Sequence, residues 1–241
     1  IETGCRAEEQ NSGGTTSSFP FRQCLGQLLY LQRNCRPDLQ FAVSFVSRFT
    51  NNYNEQNVSQ IKRIIRYLKN NTYWLQYNKH NTAITAYSDA DFAGAKDRSS
   101  TMSYVVLFGP TALTWSTRKC KSICLSTCES EYCALSMLCR HLQELSILIQ
   151  LLTGKPLTNI TTYCDNAAAI AISKETANIR KVKHLEVKMH FVKQCIASGL
   201  IDLQYISSKD NLADVGTKPL NGNVFHSLMQ RLMTPGVAIK Y

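Results

Sequence analysis

Long apolar runs and a secretory signal are absent from this sequence of 241 residues. No apolar run approaches the roughly 18 residues that indicate a membrane-spanning helix. The first residues, Ile1 to Gly4, contain no apolar segment of the kind that directs secretion, so we expect an intracellular protein. Because the sequence begins with Ile1 instead of Met, we also expect it to be a fragment of a longer chain.

The ten cysteines lack the spacings of the common zinc sites. No Cys-x-x-Cys pair occurs, and the densest run, from Cys120 to Cys139, contains no histidine at zinc-finger spacing. A disulfide framework is not expected either, because no secretory signal is visible. The spacing predicts reduced and mostly buried thiols, and it leaves a structural zinc site in the dense run as an alternative.

Acidic residues are scarce relative to basic ones. The chain has 27 Lys and Arg against 17 Asp and Glu, which gives a formal net charge of +10. This balance favours a polyanionic partner, with nucleic acid ahead of an anionic membrane, although simple solubility also accounts for it. A composition of 44% hydrophobic and 18% charged residues is that of a globular protein, and it excludes a disordered or collagen-like chain.

The first third of the sequence is helical in pattern. Residues 1–18 are rich in Gly, Ser and Thr and predict a flexible leader. Residues 19–72 carry apolar side chains at helical spacing, which predicts three helices. Their apolar positions are Leu25, Leu28, Leu29 and Leu31, then Phe41, Val43, Phe45, Val46 and Phe49, and finally Ile61, Ile64, Ile65 and Leu68.

From about residue 83 the pattern changes to strands alternating with helices. A strand is also expected at 73–77, ahead of this region. The predicted strands cover 83–89, 103–108, 113–116, 160–164 and 200–206. The predicted helices cover about 127–152, 166–173, 182–197 and 211–217. This order predicts an α/β domain.

Four acidic residues stand at strand ends or early in helices: Asp89, Glu131, Asp165 and Asp214. Carboxylates brought together repel one another unless divalent cations lie between them, and oxygen-only ligation favours Mg²⁺ or Mn²⁺ over zinc. Two such ions about 3.5–4 Å apart support in-line phosphoryl transfer. Each acid taken singly is also explained as a turn residue, a helix cap or a solvated side chain, so the combination carries the prediction.

The motifs that surround these acids carry a family resemblance. They are Tyr87–Gly94, Ser126–Tyr132, Cys164–Asn166, Lys183–Val187 and Ala213–Leu220. Together with Arg36-Pro37-Asp38 and Arg63–Lys69, they resemble the C-terminal part of Ty1/copia-type retrotransposon Pol polyproteins. The resemblance extends over about residues 19–232.

The resemblance implies a domain plan. Residues 83–220 would form a ribonuclease H-like domain, a five-stranded mixed sheet with helices on both faces. Residues 19–72 would be the helical connector that follows a reverse transcriptase palm, and residues 221–241 a C-terminal helix and tail. No Tyr-x-Asp-Asp signature and no integrase zinc motif occur, so neither polymerase nor integrase activity is expected from this chain.

The resemblance also implies an activity, which is hydrolysis of the RNA strand of an RNA–DNA hybrid. Asp89, Glu131, Asp165 and Asp214 would be the catalytic metal ligands. They would hold two Mg²⁺ ions, which Mn²⁺ could replace, and Asp89 would touch both. The implied setting is a cytoplasmic virus-like particle, in which the rest of a Pol polyprotein would be a partner of this chain.

Five further residues are candidates for contact with nucleic-acid phosphates: Arg180, Lys181, Lys183, His184 and Lys209. The basic segment is equally well explained as a solvated helix face. Asp91 shares strand parity with Asp89 and so could face the site, but a turn is expected at its position. Glu129 is expected to point away from Glu131.

Two other functions remain open. The chain could be a catalytically silent transposon remnant or a domesticated nucleic-acid-binding protein, or it could be a structural connector in a larger polyprotein. The presence of all four acids favours the enzyme, and a Mg²⁺-dependent cleavage assay distinguishes it from the alternatives.

Overall fold

A computed structural model describes residues 18–95, 97–174 and 183–236, without the side chains of residues 183–186. Nearly all of the predicted leader, together with Arg180 and Lys181, therefore lies outside the described residues. The helices are α1 (Phe21–Asn34), α2 (Gln40–Ser47), α3 (Glu55–Asn70), α4 (Thr127–Thr153), α5 (Ala167–Lys174), α6 (Lys183–Ala197) and α7 (Gly222–Gln230). The strands are β1 (Tyr73–Trp74), β2 (Ile84–Asp91), β3 (Thr101–Phe108), β4 (Thr111–Lys119), β5 (Ile160–Cys164), β6 (Ile201–Tyr205) and β7 (Thr234–Pro235).

Five strands form one mixed sheet in the order β4-β3-β2-β5-β6. The pairs β2–β3 and β3–β4 are antiparallel, whereas β2–β5 and β5–β6 are parallel. Alternating side chains of the central strands enter two separate cores, Ala86 with Val106 on one face and Tyr87 with Val105 on the other. Helices α4, α5 and α6 cover the first face and α7 covers the second, so the predicted fold class is confirmed.

Helices α1, α2 and α3 surround an apolar core of their own. It contains Phe21, Leu25, Leu28, Leu39, Val43, Val46, Val58, Ile61 and Ile64. Asn54 and Asn57 start α3 with a reciprocal capping box, in which each side chain accepts from the other residue's backbone N–H. Helix α2 ends at Ser47, before the predicted Phe49, because the Thr50 hydroxyl donates to the Ser47 carbonyl at 2.6 Å and favours a turn.

Several element boundaries differ from the predicted ones. Strand β1 has two residues instead of five, because its partner β7 offers only two. Strand β2 continues two residues beyond Asp89, because Asp91 pairs with Thr101 on β3. The segment predicted as a helix over 211–217 is a 3-10 turn, Leu212–Gly216. At Gly216 this turn passes so close to β3 and β4 that a Cβ atom would overlap the side chains there.

The three N-terminal helices dock on the sheet through polar contacts. Trp115 on β4 donates from Nε1 to the Gln32 carbonyl at 2.6 Å. Arg48 donates to the Thr101 hydroxyl at 3.1 Å.

Although α4 is 27 residues long, none of the described helices has an apolar stretch that could cross a bilayer.

We expect Trp115→Phe to lower the free energy of unfolding by about 1–2 kcal/mol, because it removes a buried donor and strands the Gln32 carbonyl. Urea unfolding followed by circular dichroism measures the change. Trp74, which is 52% exposed, supplies the matched control, and Trp74→Phe should change the free energy by less than about 0.5 kcal/mol. Equal effects of the two substitutions would contradict a stabilising contact between the helices and the sheet.

Candidate active site

Asp89 lies in the central strand β2, next to the end of the sheet where parallel strand β5 also finishes. Its side chain is only 3% exposed. Thr217 donates a hydrogen bond to its Oδ2, and the Asn211 amide donates to the neighbouring Ser88 carbonyl at 2.9 Å. These two contacts fasten the turn that follows β6 to the strand that carries Asp89.

Asp214 lies in that turn and is 5% exposed. The turn begins at Asn211, whose side chain accepts from the Ala213 N–H at 3.1 Å. Lys218, four residues further on, places its ammonium nitrogen 2.9 Å from Asp214 Oδ1. The carboxylate is thus held between the sheet and a cation from its own segment.

Glu131 lies in the second turn of α4 and is buried against the sheet. The helix begins at Ser126, whose hydroxyl accepts from the Glu129 N–H at 3.1 Å. The Glu129 carboxylate accepts from the Leu125 N–H at 2.7 Å and therefore points to the helix start. The thiol of Cys164, at the end of β5, lies 3.9 Å from Glu131 Oε2.

Asp165 directly follows β5 and is half-buried. The Ser208 hydroxyl donates to its Oδ2 at 2.6 Å. Ligand atoms of Glu131, Cys164 and Asp165 all lie within 4.8 Å of one another, which makes this a possible acidic metal-binding group. The carboxyl ends of parallel strands are the usual place for a ligand in such a sheet.

Three of the four predicted acids, Asp89, Glu131 and Asp165, have raised pKa values. Burial, and then the charge of Asp214, raise the pKa of Asp89 to about 7. Burial, followed by the charges of Asp89 and Asp165, raises the pKa of Glu131 to about 9. The pKa of Asp165 is also raised, first by burial and then by Asp89. A site of this kind takes up protons or other cations readily.

Lys218 is a member of this site that the sequence analysis did not single out. Burial alone would lower its pKa, but the charges of Asp89 and Asp214 outweigh burial and raise the pKa. The sequence does place Lys218 four residues after Asp214, and oppositely charged residues at this spacing often form an ion pair. The spacing could not show that the pair would face three further carboxylates.

Asp91 lies at the end of β2, not in the turn expected there. It is half-buried. Burial and the charge of Asp89 raise the pKa of Asp91, whereas Lys218 has the opposite effect.

Lys209 is exposed beside Ser208, the partner of Asp165. Lys183 and His184 begin α6, but their side chains, like Arg180 and Lys181, lie outside the described residues.

The known proteins that are similar to this chain include Pol polyproteins of transposons. No protein-family model matches the chain. The retrovirus-related Pol polyprotein from transposon RE1 of Arabidopsis thaliana is 32% identical over 220 residues, which cover 90% of this chain and 15% of that protein. The corresponding polyprotein from transposon TNT 1-94 of Nicotiana tabacum is 31% identical over 214 residues, 88% of this chain and 16% of that protein. The chain thus spans about one sixth of the length of these relatives.

Two solved structures are among those similar to this chain. The N-terminal ribonuclease H domain of a Mycobacterium tuberculosis protein has 14% identity and a TM-score of 0.43, covering 62% of this chain and 97% of that one. A foamy viral protease-reverse transcriptase in complex with RNA/DNA hybrid has 11% identity and a TM-score of 0.47, covering 83% and 26%.

The two sequence relatives cover 90% and 88% of this chain. They match the resemblance that the motifs carry. The chain therefore belongs to the family of Ty1/copia-type retrotransposon Pol polyproteins.

Proposed function

We propose that this chain is a ribonuclease H, which hydrolyses the RNA strand of RNA–DNA hybrids with the help of Mg²⁺. The observation that supports this most is the convergence of Asp89, Glu131, Asp165 and Asp214 at one end of the sheet. Burial, and then the charges of neighbouring acids, raise the pKa values of Asp89, Glu131 and Asp165, and perturbed carboxyl groups of this kind are common at functional sites.

The donor chemistry fits a hard divalent cation. The four acids offer carboxylate oxygens, which favour Mg²⁺ or Mn²⁺. Burial raises the pKa of the Cys164 thiol, so this group stays neutral and donates toward Glu131 instead of serving as a ligand. We propose that the four acids hold two ions and that Asp89 binds both of them.

Bound Mg²⁺ would neutralise the phosphate and polarise its oxygens. The other tasks belong to side chains of this chain. Thr217 and Ser208 donate to Asp89 and Asp165 and fix the orientation of these carboxylates. Lys218 neutralises part of the acidic charge and holds Asp214 in place.

Substrate binding would use cations around the site. Lys209 is exposed next to the partner of Asp165 and is a candidate for phosphate contact, as are Arg180, Lys181, Lys183 and His184. Such contacts grip the two backbones and respond to the shape and 2′-hydroxyls of a hybrid, not to its base sequence. The partner that we propose is thus an RNA–DNA hybrid.

The decisive experiment is Asp89→Asn. The substitution keeps the shape and an oxygen that can accept from Thr217, but it removes the charge that both ions would need. We expect Mg²⁺-dependent cleavage of a labelled hybrid to disappear. We also expect the metal-free protein to gain about 1–3 kcal/mol of unfolding free energy, because a buried, repelled carboxylate is gone.

Asp202→Asn is the matched control, since Asp202 is exposed on edge strand β6. It should leave both cleavage and stability unchanged. Cleavage by Asp89→Asn at the wild-type rate would refute the four-acid assignment. Wild-type protein that binds hybrid but never cuts it would support the alternative of a catalytically silent remnant or domesticated binding protein.

The raised pKa values predict how stability depends on pH. Unfolded carboxyl groups titrate near pH 4, whereas folded Asp89 and Glu131 hold protons up to about 7 and about 9. Between these limits the folded state binds more protons, so the free energy of unfolding falls as pH rises. Thermal unfolding in EDTA from pH 5 to pH 9 should show this decline.

Saturating Mg²⁺ should reduce the decline, because the ions bind the deprotonated carboxylates of the folded state. Glu131→Gln should flatten the curve measured in EDTA. A melting temperature in EDTA that rises steadily across the window would contradict the predicted proton uptake.

Salt dependence tests contact with phosphates. Log affinity for hybrid should fall linearly with log salt, and Lys209→Ala should reduce the slope by about one. Fluorescence anisotropy at several salt concentrations gives both values. Lys155→Ala is the control, because this exposed residue follows the far end of α4, and it should keep the full slope. A slope that Lys209→Ala leaves unchanged would remove Lys209 from the interface.

A further inference from the structure

Three cysteines meet in a buried cluster beside the acidic site. Cys120 and Cys124 lie in the loop between β4 and α4, and Cys133 lies in the second turn of α4. They are 6%, 3% and 4% exposed, in that order. Their sulfur atoms all lie within 4.8 Å of one another, and the Cys120 and Cys124 sulfurs are 3.8 Å apart.

We propose that Cys120, Cys124 and Cys133 form a three-thiolate site for Zn²⁺. Zinc binds thiolate sulfur at about 2.3 Å, so two sulfurs at the corners of a zinc tetrahedron are about 3.8 Å apart. The separation of Cys120 and Cys124 matches this edge, and it is far longer than a disulfide bond. Three protein ligands leave the fourth tetrahedral position for a further donor.

Charge balance favours a divalent ion. The ammonium nitrogen of Lys188, on α6, lies 3.0 Å from Cys133 Sγ. Three thiolates, one Zn²⁺ and one ammonium sum to zero, whereas a monovalent ion would leave an uncompensated negative charge in a buried place. Buried charges are tolerated where they are paired, so the position of Lys188 fits a thiolate site that holds a doubly charged ion.

The donor type separates this site from the acidic one. Sulfur ligands select soft or borderline ions such as Zn²⁺, whereas carboxylates select Mg²⁺. The two sites are neighbours through α4, since Cys133 follows Glu131 by two residues and points to a different side of the helix. Bound zinc would thus fix the start of the helix that presents Glu131.

Cobalt spectroscopy tests the site directly. Metal-free, reduced full-length chain is titrated with Co²⁺ in millimolar Mg²⁺, which occupies the carboxylates. We expect one equivalent of Co²⁺ to produce the thiolate-to-cobalt charge-transfer band, and Zn²⁺ to abolish it. Carboxylate ligands give no such band, so the band reports on cobalt that is bound to thiolates. The measurement does not depend on hydrolysis of a hybrid.

Variants assign the ligands. Cys124→Ser and Cys133→Ser should lose the band, while Cys35→Ser, at an exposed cysteine, should keep it. Lys188→Gln retains all three thiols and should weaken Co²⁺ affinity by about 10–100-fold, the range seen for groups that support metal ligands. Circular dichroism establishes that each variant is folded.

Either of two results would overturn the proposal. One is a wild-type chain that shows no charge-transfer band at any Co²⁺ concentration up to the millimolar range. The other is a full-strength band in folded Cys124→Ser and Cys133→Ser. If a serine variant does not fold, the wild-type titration and Lys188→Gln still decide, because neither removes a cysteine.

Discussion

Mutual repulsion of carboxylates is the constraint around which this structure is arranged. Asp89, Glu131 and Asp214 are each at most 6% exposed, so water cannot screen their charges. Their positions persist because each is fastened: Asp89 by Thr217, Asp214 by Lys218, and Glu131 by the packing of α4 on the sheet. In spite of these contacts, burial and then the neighbouring charges raise the pKa values of Asp89 and Glu131. Functional sites characteristically contain such destabilising arrangements, which the surrounding structure compensates.

The Thr117 hydroxyl links the N-terminal helices to this arrangement. Thr117 Oγ1, on β4, lies 3.1 Å from Gln40 Oε1 of α2 and 3.0 Å from the Gly216 carbonyl. Gly216 ends the turn that holds Asp214, and a larger residue there would displace the same threonine. The helices, the edge of the sheet and the acidic turn therefore share one buried polar junction. A chain without residues 19–72 would leave this junction without one of its partners.

Local pattern was sufficient for most elements, because each strand and helix buries one face and therefore repeats its apolar residues at a fixed period. The apolar pattern did not predict those features of the elements that are set by tertiary contacts. The end of β2 depends on pairing with Thr101, and the turn at Asp214 depends on the close approach of Gly216 to β3 and β4. The acids could be named from motifs, and the dense cysteine run left a zinc site as an alternative. Neither Lys218 nor the choice of Cys120, Cys124 and Cys133 could be predicted. These residues lie at spacings that acquire meaning only after loop, sheet and helix come together.

Helix α4 would connect the two proposed metal sites, whose ligands differ in chemical preference. Residues two apart on a helix lie about 200° apart around its axis, so Glu131 and Cys133 face different neighbours. Glu131 faces oxygen ligands and the charge of Asp89, while Cys133 faces sulfur and the ammonium of Lys188. Mg²⁺ keeps several of its waters and is held by only a few protein ligands, whereas thiolates retain zinc strongly, so a zinc-bound cluster would hold the helix while magnesium binds and leaves. The start of α4 would then be ordered independently of substrate and magnesium, and Glu131 would be in position before either arrives.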